Sequence, residues 1–278
     1  MSVVPDSKEP MPPGEWTPPT EAPGSAPAPP MADTAAGASP WVHASIYGIG
    51  AALVAAVLAW GIGERTYGYY KPVVKGGDSR DFTALNREER IAAQKNTAIA
   101  FGTFGALLGL LSGVAGGASG RSIPRGVSAA LAGLLLGGIG AALVSYELAP
   151  IFARFYTDES PSLLLSFLVR GGIWVVAGVT AGLALGWGWQ GPAGMARAPI
   201  GGLVGGICGT IAFELINAVR FPADRNDAVI PSSMPARLLA YLFVAIAVAV
   251  GAVFFGRPRS RPGDRVPGAH SAAIISPK

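Results

Sequence analysis

The sequence predicts an all-α, polytopic bundle of about six transmembrane helices. Three observations predict it. Only 14% of the 278 residues are charged, against about 25% in soluble domains. Half are hydrophobic, and the mean hydropathy is +0.43. Finally, charge-poor windows recur at the length of about 20 residues that a helix needs to cross a ~30 Å hydrocarbon core.

This composition excludes a solvated globular enzyme, a nucleic-acid-binding domain and a disulfide scaffold. Cys208 is the single cysteine, so no intrachain disulfide can form. The two histidines are His43 and His270. With so few nitrogen and sulfur ligands, no zinc, haem or other cofactor is expected. No positive n-region leads directly into an apolar run, so no cleavable signal peptide is expected.

Residues 1–40 hold eleven of the 24 prolines. They bury too little apolar surface to offset their ordering entropy and read as a disordered Pro/Ala-rich tail. The transmembrane domain then runs over 41–256, with spans at about 43–63, 96–117, 126–147, 164–188, 199–219 and 237–255. Pro124, Pro161, Pro199 and Pro235 precede spans three to six; proline suits the first helical turn, where its missing N–H leaves no bond unmade. Span two has a capping-box pattern instead, Asn86 with Glu89, which predicts a helix from about 87 to 117. At 1.5 Å per residue it is roughly 45 Å long and projects from the membrane. Trp41, Trp60, Tyr67, Trp187, Trp189 and Tyr241 lie near span ends, as interfacial aromatics do. Residues 257–278 form a second tail, basic near the membrane through Arg257, Arg259, Arg261 and Arg265. The cations divide 12 to 9 between the two sides, a bias too small for the positive-inside rule to orient the chain.

Internal similarity suggests three tandem helical hairpins. Each odd span ends in an acid followed by a base: Glu64 and Lys71, Glu147 and Arg154, Glu214 and Arg220. SPSLLLSFL from Ser160 matches MPARLLAYL from Met234, and GIGAALV occurs at Gly48 and again at Gly138. A Gly/Ala/Leu/Val alphabet also produces such matches by chance. Three hairpins with an acid and a base after each odd helix resemble the architecture of mitochondrial carriers. That family's motif needs a proline two before the acid and a base three after it. Here those positions are Ile62, Ser145 and Ala212, then Tyr67, Pro150 and Asn217. No carrier function is carried over.

Glycines recur at steps of four. Gly105, Gly109, Gly113 and Gly117 line span two; Gly133 and Gly137 lie in span three. Gly178 and Gly182 lie in span four, and Gly201, Gly205 and Gly209 in span five. Residues four apart share a helix face, and small ones let two backbones approach. These positions are read as helix-packing ridges.

Glu214, Arg170 and Glu147 form the candidate intramembrane ionisable site. Glu214 lies about 9 Å inside the Arg220 end of its span and extends the small-residue stripe Gly202, Gly206, Thr210. It should therefore face protein. Charged groups at such depth are costly and often mark ion or proton paths. Arg170, alone in span four, is a candidate partner, as is Arg220 at the helix end; Arg170 could also snorkel to the interface. Catalysis finds little support. Gly117-Ala118-Ser119-Gly120 is similar to the GxSG motif of rhomboid proteases, which also have six spans. No span after the first contains a histidine to activate the serine.

The leading expectation is therefore a non-enzymatic membrane scaffold or assembly component in a bacterial cytoplasmic membrane. The second is a small-solute or ion conduit using Glu214 as a protonatable or cation-binding group. The lipid bilayer is the expected partner, with a second copy of the chain or another protein beside it. No nucleic acid is expected, and no ligand is identified.

Overall fold

The computed structural model describes residues 40–73, 82–155, 163–221 and 229–257. Both expected tails lie outside these residues apart from Pro40 and Arg257, as do Gly76-Gly77-Asp78, a turn signal in the sequence, and Ser160-Pro161. The helices are α1 (Pro40–Thr66), α2 (Phe82–Ser119), α3 (Ile123–Phe155), α4 (Leu163–Gln190), α5 (Pro192–Met195), α6 (Ala198–Arg220) and α7 (Met234–Gly256). There is no strand among the described residues. Six helical segments are long and apolar enough to cross a membrane, the short α5 leading into α6 as one of them. The chain is an integral membrane protein built as a helical bundle.

The helix ends follow local chemistry. Helices α3, α6 and α7 each start one residue before a proline: Pro124, Pro199 and Pro235. Helix α2 departs from its expected start. It begins at Phe82, so Asn86 lies inside it rather than capping it. Thr83, Ala84 and Leu85 contain no breaker, and the helix propagates back through them. Its 38 residues give roughly 57 Å of helix, well beyond the ~30 Å hydrocarbon core.

Helix α3 also overruns its expected end, passing through Pro150 to Phe155. Proline has no N–H, so the carbonyl of Tyr146, four residues earlier, loses its helical donor. Gln94 of α2 replaces it: its Nε2 donates to the Tyr146 carbonyl oxygen at 3.2 Å.

Consecutive spans pack as three hairpins, α1–α2, α3–α4 and α6–α7. The hairpins join through α2 against α3, α4 against α6 and α7 against α1, which closes a ring. The second helices of the hairpins are the more buried: 44%, 50% and 44% of the residues in their apolar windows, against 28%, 28% and 39% for α1, α3 and the α5–α6 span. This places α2, α4 and α7 inside. They meet through aromatic rings. Trp174 of α4 contacts Phe101 and Phe104 of α2 edge-on, with centroids 4.8 and 5.1 Å apart. Tyr241 of α7 stacks on Phe104 at 4.9 Å and meets Trp174 edge-on at 5.7 Å. Tyr241, expected at the interface, is thus buried in the core. Trp189 is buried as well.

Backbone contact through glycine joins the remaining faces. A Cβ on Gly105, Gly109, Gly113 or Gly117 would overlap the α3 backbone at Gly137, Gly133, Ala130 and Gly126 respectively. Gly178 and Gly182 of α4 meet Gly202 and Ala198 of α6 in the same way. Gly201, Gly205 and Gly209 of α6 meet Gly251, Ala247 and Val244 of α7. A second row, Gly116 of α2 and Gly120 just past its end, abuts the α4 backbone at Leu185 and Trp189. Helix α2 thus carries two small-residue faces, one for each neighbour. Helix α1 uses alanine, with Ala52, Ala55, Ala56 and Ala59 buried.

The α2–α3 turn has an unusual residue. The N–H of Ser122 donates to the Gly117 carbonyl and that of Arg121 to the Ala118 carbonyl, at 3.0 and 3.2 Å. This is the Schellman pattern, which places a left-handed residue, usually glycine, just past the helix. Here that residue is Arg121, with φ at 50°. Left-handed backbone costs an L-residue on the order of 1–2 kcal/mol.

Two expectations test this packing. Gly109→Ala forces α2 from α3 and should lower the thermal midpoint in detergent, at an overpacking cost of about 1–3 kcal/mol. Gly61→Ala, where a Cβ meets nothing within 4 Å, should leave the midpoint within error. Separately, Gln94→Ala should cost about 0.5–1.5 kcal/mol in the native chain. The same change in a Pro150→Ala background should cost much less, because the alanine introduced there has a backbone N–H that can bond the Tyr146 carbonyl.

Candidate functional site

The ionisable groups at depth gather at one end of the bundle, where α1 and α6 finish and α4 and α7 begin. Arg170 is the eighth residue of α4 and Glu214 lies six residues before the end of α6. Arg170 Nη1 donates to Glu214 Oε1 at 2.9 Å. The Arg170 side chain is 1% exposed and that of Glu214 15%, so Arg170 does not snorkel. Its Nε donates to the carbonyl oxygen of Val229 at 3.0 Å. One guanidinium therefore ties together α4, α6 and the segment that precedes α7.

A second pair, not anticipated from the sequence, repeats this arrangement. Arg237 of α7 is bidentate to Glu64 of α1: Nε and Nη2 donate to Oε1 and Oε2, each at 2.7 Å. Its Nη1 donates to the carbonyl oxygens of Pro231 and Ser232 at 2.9 and 2.7 Å. The ring of Tyr67 covers the guanidinium, with Cζ 4.1 Å from its centroid. The sequence carried a signal for Arg237. Proline in the first turn starts α7 at Met234, which puts Arg237 inside the helix. It also lies three and four residues before Ala240 and Tyr241, both buried.

Residues 229–232 form a strap that these two arginines hold down by its backbone. Non-helical backbone carbonyls have no partner within the segment, and one left unpaired where it is buried, as Val229 and Pro231 are, is costly. A charged donor on each side satisfies three carbonyls in four residues. The strap's side chains complete the fit, with Val229 buried among the core residues and Ile230 packed against them. Beneath it lies a cavity of 290 Å³ lined by Tyr67, Asn96, Thr97, Phe152, Val229 and Ile230, among others. Asn96 closes its rim by pairing with both backbone groups of Tyr70, at 2.9 and 3.0 Å.

Glu147, the third candidate, stands apart. It is exposed near the end of α3 and joins neither pair. Each ion pair links the first helix of one hairpin to the second helix of the preceding hairpin in the ring. Glu64 of the first reaches α7 of the third, and Glu214 of the third reaches α4 of the second. The remaining junction, α3 with α2, is made by Gln94 on the Tyr146 carbonyl instead. Ser119, in the GxSG string, donates its hydroxyl back to the Ala115 carbonyl at 2.7 Å. No group of three or more His, Cys, Asp or Glu side chains placed to hold a metal occurs among the described residues.

No family model, curated protein or solved structure matches this chain. The class of protein rests on the fold: an integral membrane bundle whose buried charges are paired across hairpins.

Removing one member of a buried ion pair strands the other, at a cost of about 3–5 kcal/mol. Arg170→Met and Glu214→Leu should each destabilise the detergent-solubilised protein by that order. The double variant should recover a kilocalorie or more relative to the sum, because no charge is then left unpaired. It should fall short of the native chain, because the Val229 carbonyl remains unsatisfied. Strictly additive losses would count against a direct pair.

Proposed function

We propose that this protein is a non-enzymatic membrane scaffold or assembly component, a rigid helical platform in a bacterial cytoplasmic membrane. The observation that supports it best is how the polar groups at depth are used. Arg170, Glu214, Arg237 and Glu64 engage one another and the strap's carbonyls. A conduit residue must exchange partners as solute passes, whereas these groups hold structure. The interior supports the same reading, because Phe104, Trp174 and Tyr241 fill the space between α2, α4 and α7. On this reading no residue carries catalysis.

The second reading, a small-solute or ion conduit using Glu214, draws on the depth of the Arg170–Glu214 pair and on the cavity under the strap. Water access separates the two. In a Cys208→Ala background, Thr210→Cys puts a thiol on the same helix face as Glu214 without breaking the ion pair; Thr210 is fully buried. A membrane-impermeant thiol reagent applied to vesicles should leave this position unlabelled from either side, while Glu147→Cys, at an exposed position, reacts. Proteoliposomes should show no more proton or cation flux than empty liposomes. Labelling at 210, or a flux abolished by Glu214→Gln, would overturn the scaffold reading in favour of the conduit.

A further inference from the structure

The opposite end of the bundle has a different character. There α1 and α3 begin while α2, α4 and α7 finish. Its described charges are Arg121, Arg125, Arg197 and Arg257, all exposed, with no carboxylate among the described residues at that end. Arg257 lies over the Trp41 ring, 4.3 Å from its centroid, and Arg125 reaches toward Gly191. Arg121 faces elsewhere.

Arg121 borders a groove of 550 Å³ on the outer side of the α2–α3 contact. The groove exists because Gly117 and Gly126 bring the two backbones together with no side chains to fill the angle outside them. Leu110 and Val114 form one wall, Val127 and Leu131 the other, and Arg121 and Ser122 stand at the mouth. From Leu110 to Arg121 is roughly 16 Å of helix, close to one leaflet of a ~30 Å hydrocarbon core. The depth suits one acyl chain lying along the groove with its headgroup at the arginine.

We propose that this groove is a binding site for an anionic phospholipid, with an acyl chain between α2 and α3 and its phosphate on the Arg121 guanidinium. Charge complementarity selects the headgroup. A planar guanidinium with several donors suits phosphate oxygens. Cations at a membrane surface attract anionic lipid, and no acid among the described residues at this end opposes them. The residue at the mouth is also specific. The turn calls for glycine at position 121, yet an arginine occupies the left-handed position there.

That conformation supplies a variant that does not threaten the fold. The full-length protein in neutral detergent is titrated with phosphatidylglycerol or phosphatidylcholine, and bound lipid is counted by native mass spectrometry. The wild type should bind phosphatidylglycerol at least tenfold more tightly. Arg121→Gly should reduce that preference to twofold or less, while its thermal midpoint without lipid holds or rises because the backbone strain is relieved. Arg197→Gln, at the same end but outside the groove, should keep the preference. Val127→Trp should fill the groove and weaken both lipids. Equal binding of the two lipids by the wild type overturns the proposal. So does a preference that survives Arg121→Gly, or one that Arg197→Gln reduces as much, since either reflects the general charge of that end and not a site.

Discussion

A bilayer provides no hydrophobic drive for one apolar helix to leave lipid for another. This constraint governs the rest of the structure. Association must come from close packing, and packing is closest where nothing separates the backbones. The bundle meets the requirement with glycine against backbone at α2–α3, α4–α6 and α6–α7, and with alanine on α1. The innermost contact, between α2, α4 and α7, uses large side chains, and there the aromatic edges and faces interlock. The outward faces are left to Leu, Ile and Val, many of them more than 40% exposed to the surrounding medium.

The same solvent sets the terms for every polar group. A helix satisfies its own backbone, so the difficult positions are where helical bonding stops. Pro150 interrupts α3, and Gln94 repairs it from α2. The chain is non-helical at 229–233, and two arginines donate to three of its carbonyls. Each arginine then needs a carboxylate, which comes from the end of a neighbouring first helix. Removing either arginine would take a donor from a carboxylate and from the strap at once. The ion pairs and the strap are thus one structural unit that fastens one end of the ring.

The spans were legible because length and apolarity are properties of a contiguous window. Glycine steps of four were legible as faces, because 3.6 residues per turn brings every fourth residue back to one side. What each face meets was not. Gly105, Gly109, Gly113 and Gly117 touch α3, whereas Gly116, on the same helix, touches α4. Glu214 was legible as a protein-facing group from its stripe, with Arg170 or Arg220 as partner. Glu64 reads from the sequence only as the acid that ends span one ahead of Lys71, and its partner Arg237 is 173 residues away. No local pattern encodes such a separation. Tyr241 misled for a related reason. Nearness to a span end is a matter of depth, while burial depends on which way the helix is turned.

By itself, then, the sequence determined an integral membrane bundle of six helical spans, the proline-marked starts of α3, α6 and α7, and the small faces through which helices could meet. These follow from windows of about 20 residues and from helical periodicity, both local. Only the tertiary structure decided the ring order, the aromatic contact at its centre, the pairing of Arg170 with Glu214 and of Arg237 with Glu64, and the strap they hold. Those depend on which helices become neighbours. That choice is made by the summed fit of many weak contacts between segments far apart in the chain, and no single stretch of residues contains it.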